Sequence, residues 1–158
     1  MDGVKSLAAA LGRIPSGLFI VTLRHGTAET GMLASWVQQC SFDPPQISLA
    51  IRKDRDLLAW LTLETAFTVN ILDDTQTDMI VHFGKGFALG EPAFTGLEID
   101  HPRGAPPVLC EALAYLECRV VSRVAAGDHD LVLGRVVAGQ LLSEGHPMVH
   151  VRKSGMHY

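Results

Sequence analysis

Small and polar side chains are concentrated between positions 31 and 45, where a strand pattern gives way to a loop pattern. Ala34, Ser35, Cys40 and Ser41 would leave room beside the backbone, because their side chains are short. Free amide groups there could hydrogen-bond the polar edge of a flat heterocycle, and the hydroxyl groups could reach a polyol chain. An edge strand followed by a polar loop would give the same pattern, so both interpretations stay open at this point.

A group of charged residues suggests an anion site further along the chain. Arg52, Lys53 and Arg55 surround Asp54 at the predicted start of a short helix. Basic side chains combined with free N–H groups at a helix start favour a terminal phosphate. Asp54 offsets part of the positive charge, and the alternative is a solvated charged turn.

A glycine-rich segment provides one more candidate. Lys85 lies between two glycines, which permit tight backbone bends, and its ammonium group could reach a second phosphate oxygen. Phe87 follows and could cover a ring. An ordinary surface loop is the alternative interpretation.

His129 follows a Gly-Asp pair at a predicted hairpin turn. A histidine in that place could contact a dinucleotide or tune proton transfer near a reduced cofactor, although it could equally be a plain turn residue. The histidines show no HExxH spacing and the three cysteines form no CxxC pair, so no metal site is expected. Ser35 and Ser41 lack a GxSxG setting, which argues against a hydrolase.

Strand patterns dominate the elements that must position these residues. Ile47, Leu49 and Ile51 alternate with polar or small residues, which predicts a strand with one buried face. The other predicted strands span Leu18–Leu23, Thr30–Trp36, Phe67–Ile71, Ala112–Val124, Leu131–Leu142 and Val149–Arg152. Turns are predicted at residues 25–27 and 125–128, and the predicted helices are residues 7–14 capped by Ser6, 57–61 capped by Asp54 and 75–83 capped by Asp74.

Strands that follow one another through short turns predict a mainly β fold, a β-barrel with inserted helices. No strand is followed by GxGxxG, so a Rossmann site is not expected. The length of 158 residues fits one domain. A net charge of -4 does not favour nucleic acid or an anionic membrane. Without a signal-peptide pattern or a long apolar run, a cytoplasmic location with reduced cysteines is expected.

In combination, these segments resemble the flavin reductase-like family, whose fold is the FMN-binding split barrel. The matching segments, in order, are Gly17–Leu23, Gly31-Met32-x-Ala34-Ser35-Trp36, Ser41-Phe42-x-Pro44-Pro45, Ile47–Arg55, Gly127-Asp128-His129 and Leu133–Val136. The sequence of residues 12–19 and 32–41 is particularly similar to that of the C-terminal flavin reductase module of diflavin flavodiiron proteins. No diiron or flavodoxin part precedes it here, so a stand-alone single domain over residues 1–158 is expected.

The resemblance implies roles for the matching residues. It implies that the flavin ring is lined by Met32, Leu33, Ala34, Ser35 and Trp36, and that Ser41 meets the ring edge or the ribityl chain. It also implies phosphate binding by residues 52–55 with Lys85, a position near the nicotinamide for His129, and a homodimer with the flavin close to the subunit interface. Many flavin reductases have Asn-Ser-Phe where this chain has Ala34-Ser35-Trp36, so Trp36 could stack on a ring or narrow the cavity.

The leading hypothesis is therefore an NAD(P)H-dependent oxidoreductase that passes electrons through FMN to free flavin, oxygen, ferric ion or a protein partner. A non-enzymatic flavin-binding electron carrier is the first alternative. A split barrel that binds another phosphate-bearing ligand, such as pyridoxal phosphate or a haem-related molecule, is the second. FAD in place of FMN stays open.

Overall fold

The structure is a computed structural model and describes residues 2–158. Strands account for most of its regular elements. They are β1 (Ser16–Gly17), β2 (Phe19–His25), β3 (Ala28–Ala34), β4 (Val37–Phe42), β5 (Pro45–Arg52), β6 (Ala66–Ile71), β7 (Ile99–Asp100), β8 (Val108–Leu109), β9 (Ala114–Ala126), β10 (His129–Leu141) and β11 (Val149–His150). The α-helices are α1 (Asp2–Leu11) and α2 (Thr77–Gly84), and 3-10 helices span Asp56–Trp60 and Pro102–Gly104. No helix in this range is long and apolar enough to cross a lipid bilayer.

Seven strands form one antiparallel sheet in the order β3-β2-β6-β9-β10-β5-β4. The two edge strands, β3 and β4, are nevertheless consecutive in sequence and are joined only by Ser35 and Trp36. Such a link can span at most about 11 Å between Cα atoms, so the sheet must curl until its edges approach each other. The predicted mainly β barrel is confirmed.

The core fills the inside of this curled sheet. Met32 and Ala34 from β3 belong to the same buried cluster as Ile47, Leu49 and Ile51 from β5. The predicted alternation in β5 is confirmed, because the residues between these three are more exposed. The long β9–β10 hairpin supplies further members of the cluster, which ties both halves of the chain to one core.

Strand β6 is buried on both faces. Phe67 and Val69 point into the barrel core, whereas Thr68 and Asn70 lie on the opposite face and are fully buried as well. Thr68 donates to a proline carbonyl at 2.9 Å, and the amide oxygen of Asn70 accepts the Leu109 N–H at 2.8 Å. The segment that leads into β8 therefore covers this face through hydrogen bonds, as buried polar groups require.

The predicted helix caps are wrong in all three cases. Ser6 lies inside α1, which begins at Asp2. Asp54 forms an ion pair with Arg52 at 3.0 Å, and the 3-10 helix after it has no side-chain cap. Asp74 lies before the start of α2, whose N-cap position is Gln76. The preceding turn is instead closed by Asp73, whose carboxylate accepts two hydrogen bonds from Thr75.

Turn positions are predicted better than caps. The first hairpin turns at Gly26 and Thr27, and Gly26 has the positive φ of 61° that glycine tolerates. The predicted four-residue turn at 125–128 is shorter in the structure, because β9 continues to Ala126 and only Gly127 and Asp128 remain between the strands.

Gly134 in β10 provides a test of the packing. A Cβ atom there would lie 2.6 Å from the Phe67 ring, so Gly134→Ala should lower the free energy of unfolding by about 1–3 kcal/mol through overpacking. Gly3→Ala in α1, where a Cβ meets nothing within 4 Å, is the matched control and should not destabilise the protein. Denaturant unfolding measures both, and equal midpoints for the two variants would contradict this view of the core.

Candidate functional site

A cavity of about 530 Å³ opens where the end of β3 meets the end of β5. Its volume lies within the range of about 300–1,000 Å³ that is usual for small-molecule sites. The apolar part of its wall comes from Met32, Leu33, Leu57, Ile80, Phe83, Phe87 and Leu89. The curl of the sheet makes this cavity, because it is lined together by β3 at one sheet edge and by β5, the neighbour of the other edge strand.

The link between β3 and β4 forms one side of the cavity. All five residues from Met32 to Trp36, the segment that the resemblance assigns to the flavin ring, line the cavity. The carbonyl of Trp36 accepts the Ala50 N–H at 3.0 Å, which fixes the link against β5. A planar ligand in the cavity would therefore lie against a backbone segment that is hydrogen-bonded to β5 and carries short side chains at Ala34 and Ser35.

The charged turn after β5 forms the polar end of the cavity. Arg52, Asp54 and Arg55 line it, whereas the Lys53 side chain is exposed. Arg52 is paired with Asp54, but among residues 2–158 no carboxylate lies within ion-pair distance of Arg55. The N–H groups of Lys53 and Arg55 donate to backbone carbonyls, so an anion here would depend more on the arginine side chains than on free amides.

His129 lies directly behind this turn. It pairs with Arg52 across the β5–β10 ladder, and the adjacent Lys53 N–H donates to the Asp128 carbonyl at 3.0 Å. Sheet register thus brings together two segments that are more than 70 positions apart in the sequence. His129 does not itself line the cavity among the described residues, and only 8% of its surface is exposed.

Both ring nitrogens of His129 have hydrogen-bond partners. Nδ1 lies 2.7 Å from the Asp128 carboxylate, and Nε2 lies 2.5 Å from the Tyr158 hydroxyl. Because an ionised carboxylate only accepts, a neutral ring carries its proton on Nδ1 and accepts the phenol proton at Nε2. The hydrogen bond from His129 holds the pKa of Asp128 below its usual value.

Tyr158 is a site residue that the sequence pattern did not reveal. Its ring lines the cavity and lies 5.4 Å from Trp36 between ring centroids. The centroid of the Trp36 ring also lies 4.7 Å from that of the His129 ring. The guanidinium carbon of Arg152 lies over the Trp36 ring, 4.9 Å from its centroid. Such a cluster combines aromatic and cation–π contacts at the cavity mouth.

Four predicted binding residues, Lys53 among them, do not line the cavity among residues 2–158. Cys40 is exposed and Ser41 half-buried on β4, beyond a register shift between Gln39 and Ser41. Lys85 is exposed, although Gly84 and Gly86 on either side of it line the cavity. Phe87 does line it, as predicted.

The donor set fits a planar cofactor with a terminal phosphate. The apolar wall and the Trp36 ring suit a flat heterocycle, Ser35 offers a hydroxyl, and the arginines lie together at one end. The two aspartates at that end, Asp54 and Asp56, limit the net positive charge. The phosphate would therefore be held mainly by Arg55 and by Arg52.

Comparisons with known proteins agree with this geometry. A family model described as the flavin reductase like domain matches residues 11–157. A Nostoc sp. protein of the diflavin flavoprotein A group is 42% identical over 100% of this chain and 29% of its own length. Diflavin flavoprotein A 1 of Synechocystis sp. is 40% identical over 96% of this chain and 27% of its own length. The chain thus spans less than a third of these relatives.

Solved structures show the same fold. The NADH:FAD oxidoreductase of Streptomyces globisporus C-1027 superposes with a TM-score of 0.83 at 25% identity, covering 90% of this chain and 85% of that one. The same enzyme in complex with NAD and FAD fragments superposes with a TM-score of 0.81. The split-barrel fold predicted from the resemblance is confirmed.

Titration of Tyr158 tests whether its ring occupies the cavity mouth. Burial raises the pKa of its hydroxyl above the ordinary value of about 10, although Arg55, Arg52 and Arg152 oppose the shift. The stabilisation of the neutral phenol is thus fully present below the unfolded pKa and is lost as the pH rises through the raised folded pKa. The chain has two tyrosines, so subtracting the tyrosinate absorbance of Tyr158→Phe isolates this group. A midpoint at or below about 10 would contradict the placement.

Proposed function

The chain belongs to the flavin reductase like domain family, and we propose that it binds FMN in the barrel cavity and carries electrons from NAD(P)H to an acceptor. A flavin-related oxidoreductase is what the family and its flavin reductase neighbours support. The observation that carries the finer proposal is the cavity itself, which joins an apolar wall to Arg52 and Arg55 at one end. The whole of residues 1–158 would act as one domain in a homodimer.

Individual residues would hold the cofactor in distinct ways. Met32 to Trp36 would bind one side of the ring system, and Phe87 would contact it from the opposite wall. Of the two arginines that line the cavity, Arg55 has no carboxylate partner among the described residues and would be the main phosphate ligand. When bound, the flavin supplies the redox chemistry, since it can take up two electrons from a nicotinamide and release them to an acceptor.

His129 would act as an orienting residue. Asp128 keeps the proton on Nδ1, so Nε2 is directed as an acceptor toward the cavity mouth. In that direction it would align the hydroxyl of Tyr158 or a polar group of an incoming ligand. Cys40, Ser41 and Lys85 stay predictions without a contact to the cavity.

A non-enzymatic electron carrier is the second candidate. The relatives are much longer than this chain, so the matching module stands beside other protein segments in them. This arrangement favours a protein as the electron donor or acceptor of the module. A carrier would bind flavin in the same cavity without using NAD(P)H directly. The two candidates therefore differ in the reductant and not in the site.

The absorption spectrum distinguishes them. The protein should acquire a bound-flavin spectrum on incubation with FMN, and anaerobic NADH or NADPH should bleach it. Protein that binds no flavin would contradict both candidates. A bound flavin that dithionite reduces and neither nucleotide reduces would favour the carrier.

Arg55→Gln tests the assignment of the phosphate. We expect it to weaken FMN binding by about 10- to 100-fold, because a hydrogen bond to a charged group contributes about 1.5–3 kcal/mol. Riboflavin, which has no phosphate, should bind the variant and the wild type equally. Fluorescence titration with both flavins measures the affinities.

Lys53→Gln is the matched control, because it removes the same charge from the same turn at a side chain outside the cavity. It should leave FMN affinity nearly unchanged. An equal loss of FMN affinity in both variants would indicate that only the net charge of the turn matters. An equal loss of affinity for FMN and riboflavin in Arg55→Gln would show that the phosphate does not bind at this turn.

A further inference from the structure

We propose that Tyr158 is a gate over the flavin cavity: its ring occupies the place by Trp36 and His129 that a nicotinamide must enter, and it swings out to admit the reductant. The inference rests on the proposed function, since it concerns access to the flavin that the cavity would hold. It assigns to Tyr158 a control over the reductant that is separate from holding the cofactor.

The position of the ring is the first observation. Tyr158 is a lining residue of the cavity, 5.4 Å from Trp36 and 5.9 Å from His129 between ring centroids. Its hydroxyl lies 2.5 Å from His129 Nε2. Tyr158 thus contacts the Trp36 ring and His129 Nε2, which are the two groups that a bound aromatic ring with a polar substituent would contact.

The attachment of the segment before Tyr158 is the second observation. The Gly155 N–H donates to the Ala8 carbonyl at 2.6 Å, and the Arg152 N–H donates to the Gly12 carbonyl at 3.2 Å. A Cβ on Gly155 would collide with Leu11, so the backbone approaches α1 as closely as glycine allows. These contacts pin the chain to α1 up to residue 155.

The three residues after this pinned point are held much more weakly. Met156 is 59% exposed and Tyr158 is 57% exposed, so neither belongs to a buried core. Apart from the bond between Tyr158 and His129, the hydrogen bonds of this arm lie at exposed positions, such as that from Arg152 to the His157 carbonyl at 3.5 Å. Loss of one hydrogen bond and of the ring contacts with Trp36 and His129 would therefore release the Tyr158 ring while the base of the arm stays in place.

A reductant would find a prepared surface after this movement. Trp36 would offer its exposed ring face, and His129 would offer Nε2. Arg152, whose guanidinium lies over Trp36, would meet the phosphates that join the two nucleosides of NAD(P)H. Trp36 and His129 also hold Tyr158 in the closed state, so ring and reductant compete for one place.

Stopped-flow reduction of the FMN-loaded protein tests this competition. Removing the ring in Tyr158→Ala should raise the second-order rate constant for NADH or NADPH by about 5- to 100-fold, because the closed state no longer has to open first. Tyr158→Phe keeps the stacking and should show a smaller gain. FMN affinity should stay unchanged in both variants, which a structural wall residue would not allow.

His157→Ala is the matched control, since it truncates the neighbouring side chain of the same arm. It should behave as the wild type. The gate is wrong if Tyr158→Ala is reduced at the wild-type rate or more slowly, or if its FMN affinity falls. A wild type that no nucleotide reduces, with Tyr158→Ala reduced by one of them, would be its clearest support.

Dithionite reduces flavin without a nicotinamide site, so it shows whether the bound flavin can be reduced at all. If dithionite reduces the proteins and neither nucleotide does, the NAD(P)H-dependent function is wrong and the gate is wrong with it. If the nucleotides reduce wild type and Tyr158→Ala at equal rates, the proposed function stands and the gate alone is overturned.

Discussion

Two residues, Ser35 and Trp36, join strands at opposite edges of a seven-stranded sheet. This covalent constraint determines the remaining features of the molecule. A link that can span only about 11 Å forces the sheet to close around its core. Closure brings the end of β3 to the end of β5 and leaves the cavity between them. The same link places Trp36 at the mouth of that cavity, where β10 and the segment after β11 supply its neighbours.

The pairing of β5 with β10 completes the polar end of the site. Arg52 stands opposite His129, and the Lys53–Asp128 backbone hydrogen bond extends the ladder by one step. The arginines that would hold a phosphate and the histidine that would meet a reductant are therefore fixed by one strand register. A shift of that register by one residue would move Arg52 to the other face of the sheet and separate the two groups.

The sequence predicts the strands well because their signals are local. Alternation identifies β5, and the glycines at 26 and 127 identify two of the turns. The caps fail because several polar side chains near a helix start compete, and nearby residues decide the outcome, as Asp73 does before α2. Met32 to Trp36, which the family resemblance assigns to the flavin ring, do line the cavity, while their contact with a flavin stays a prediction. Local pattern cannot reveal which way Lys85 points, nor that Tyr158 returns to Trp36, because both depend on how distant segments pack.

Closure of the sheet would create a flavin site between the Ser35–Trp36 link and the arginine turn. A crystal structure of the protein grown with FMN is the decisive measurement. We expect electron density for the ring system against Met32 to Trp36, with the phosphate within hydrogen-bond distance of Arg55 or Arg52. Density for FMN outside the cavity, or a phosphate at the opposite end of it, would show that this is not the flavin site.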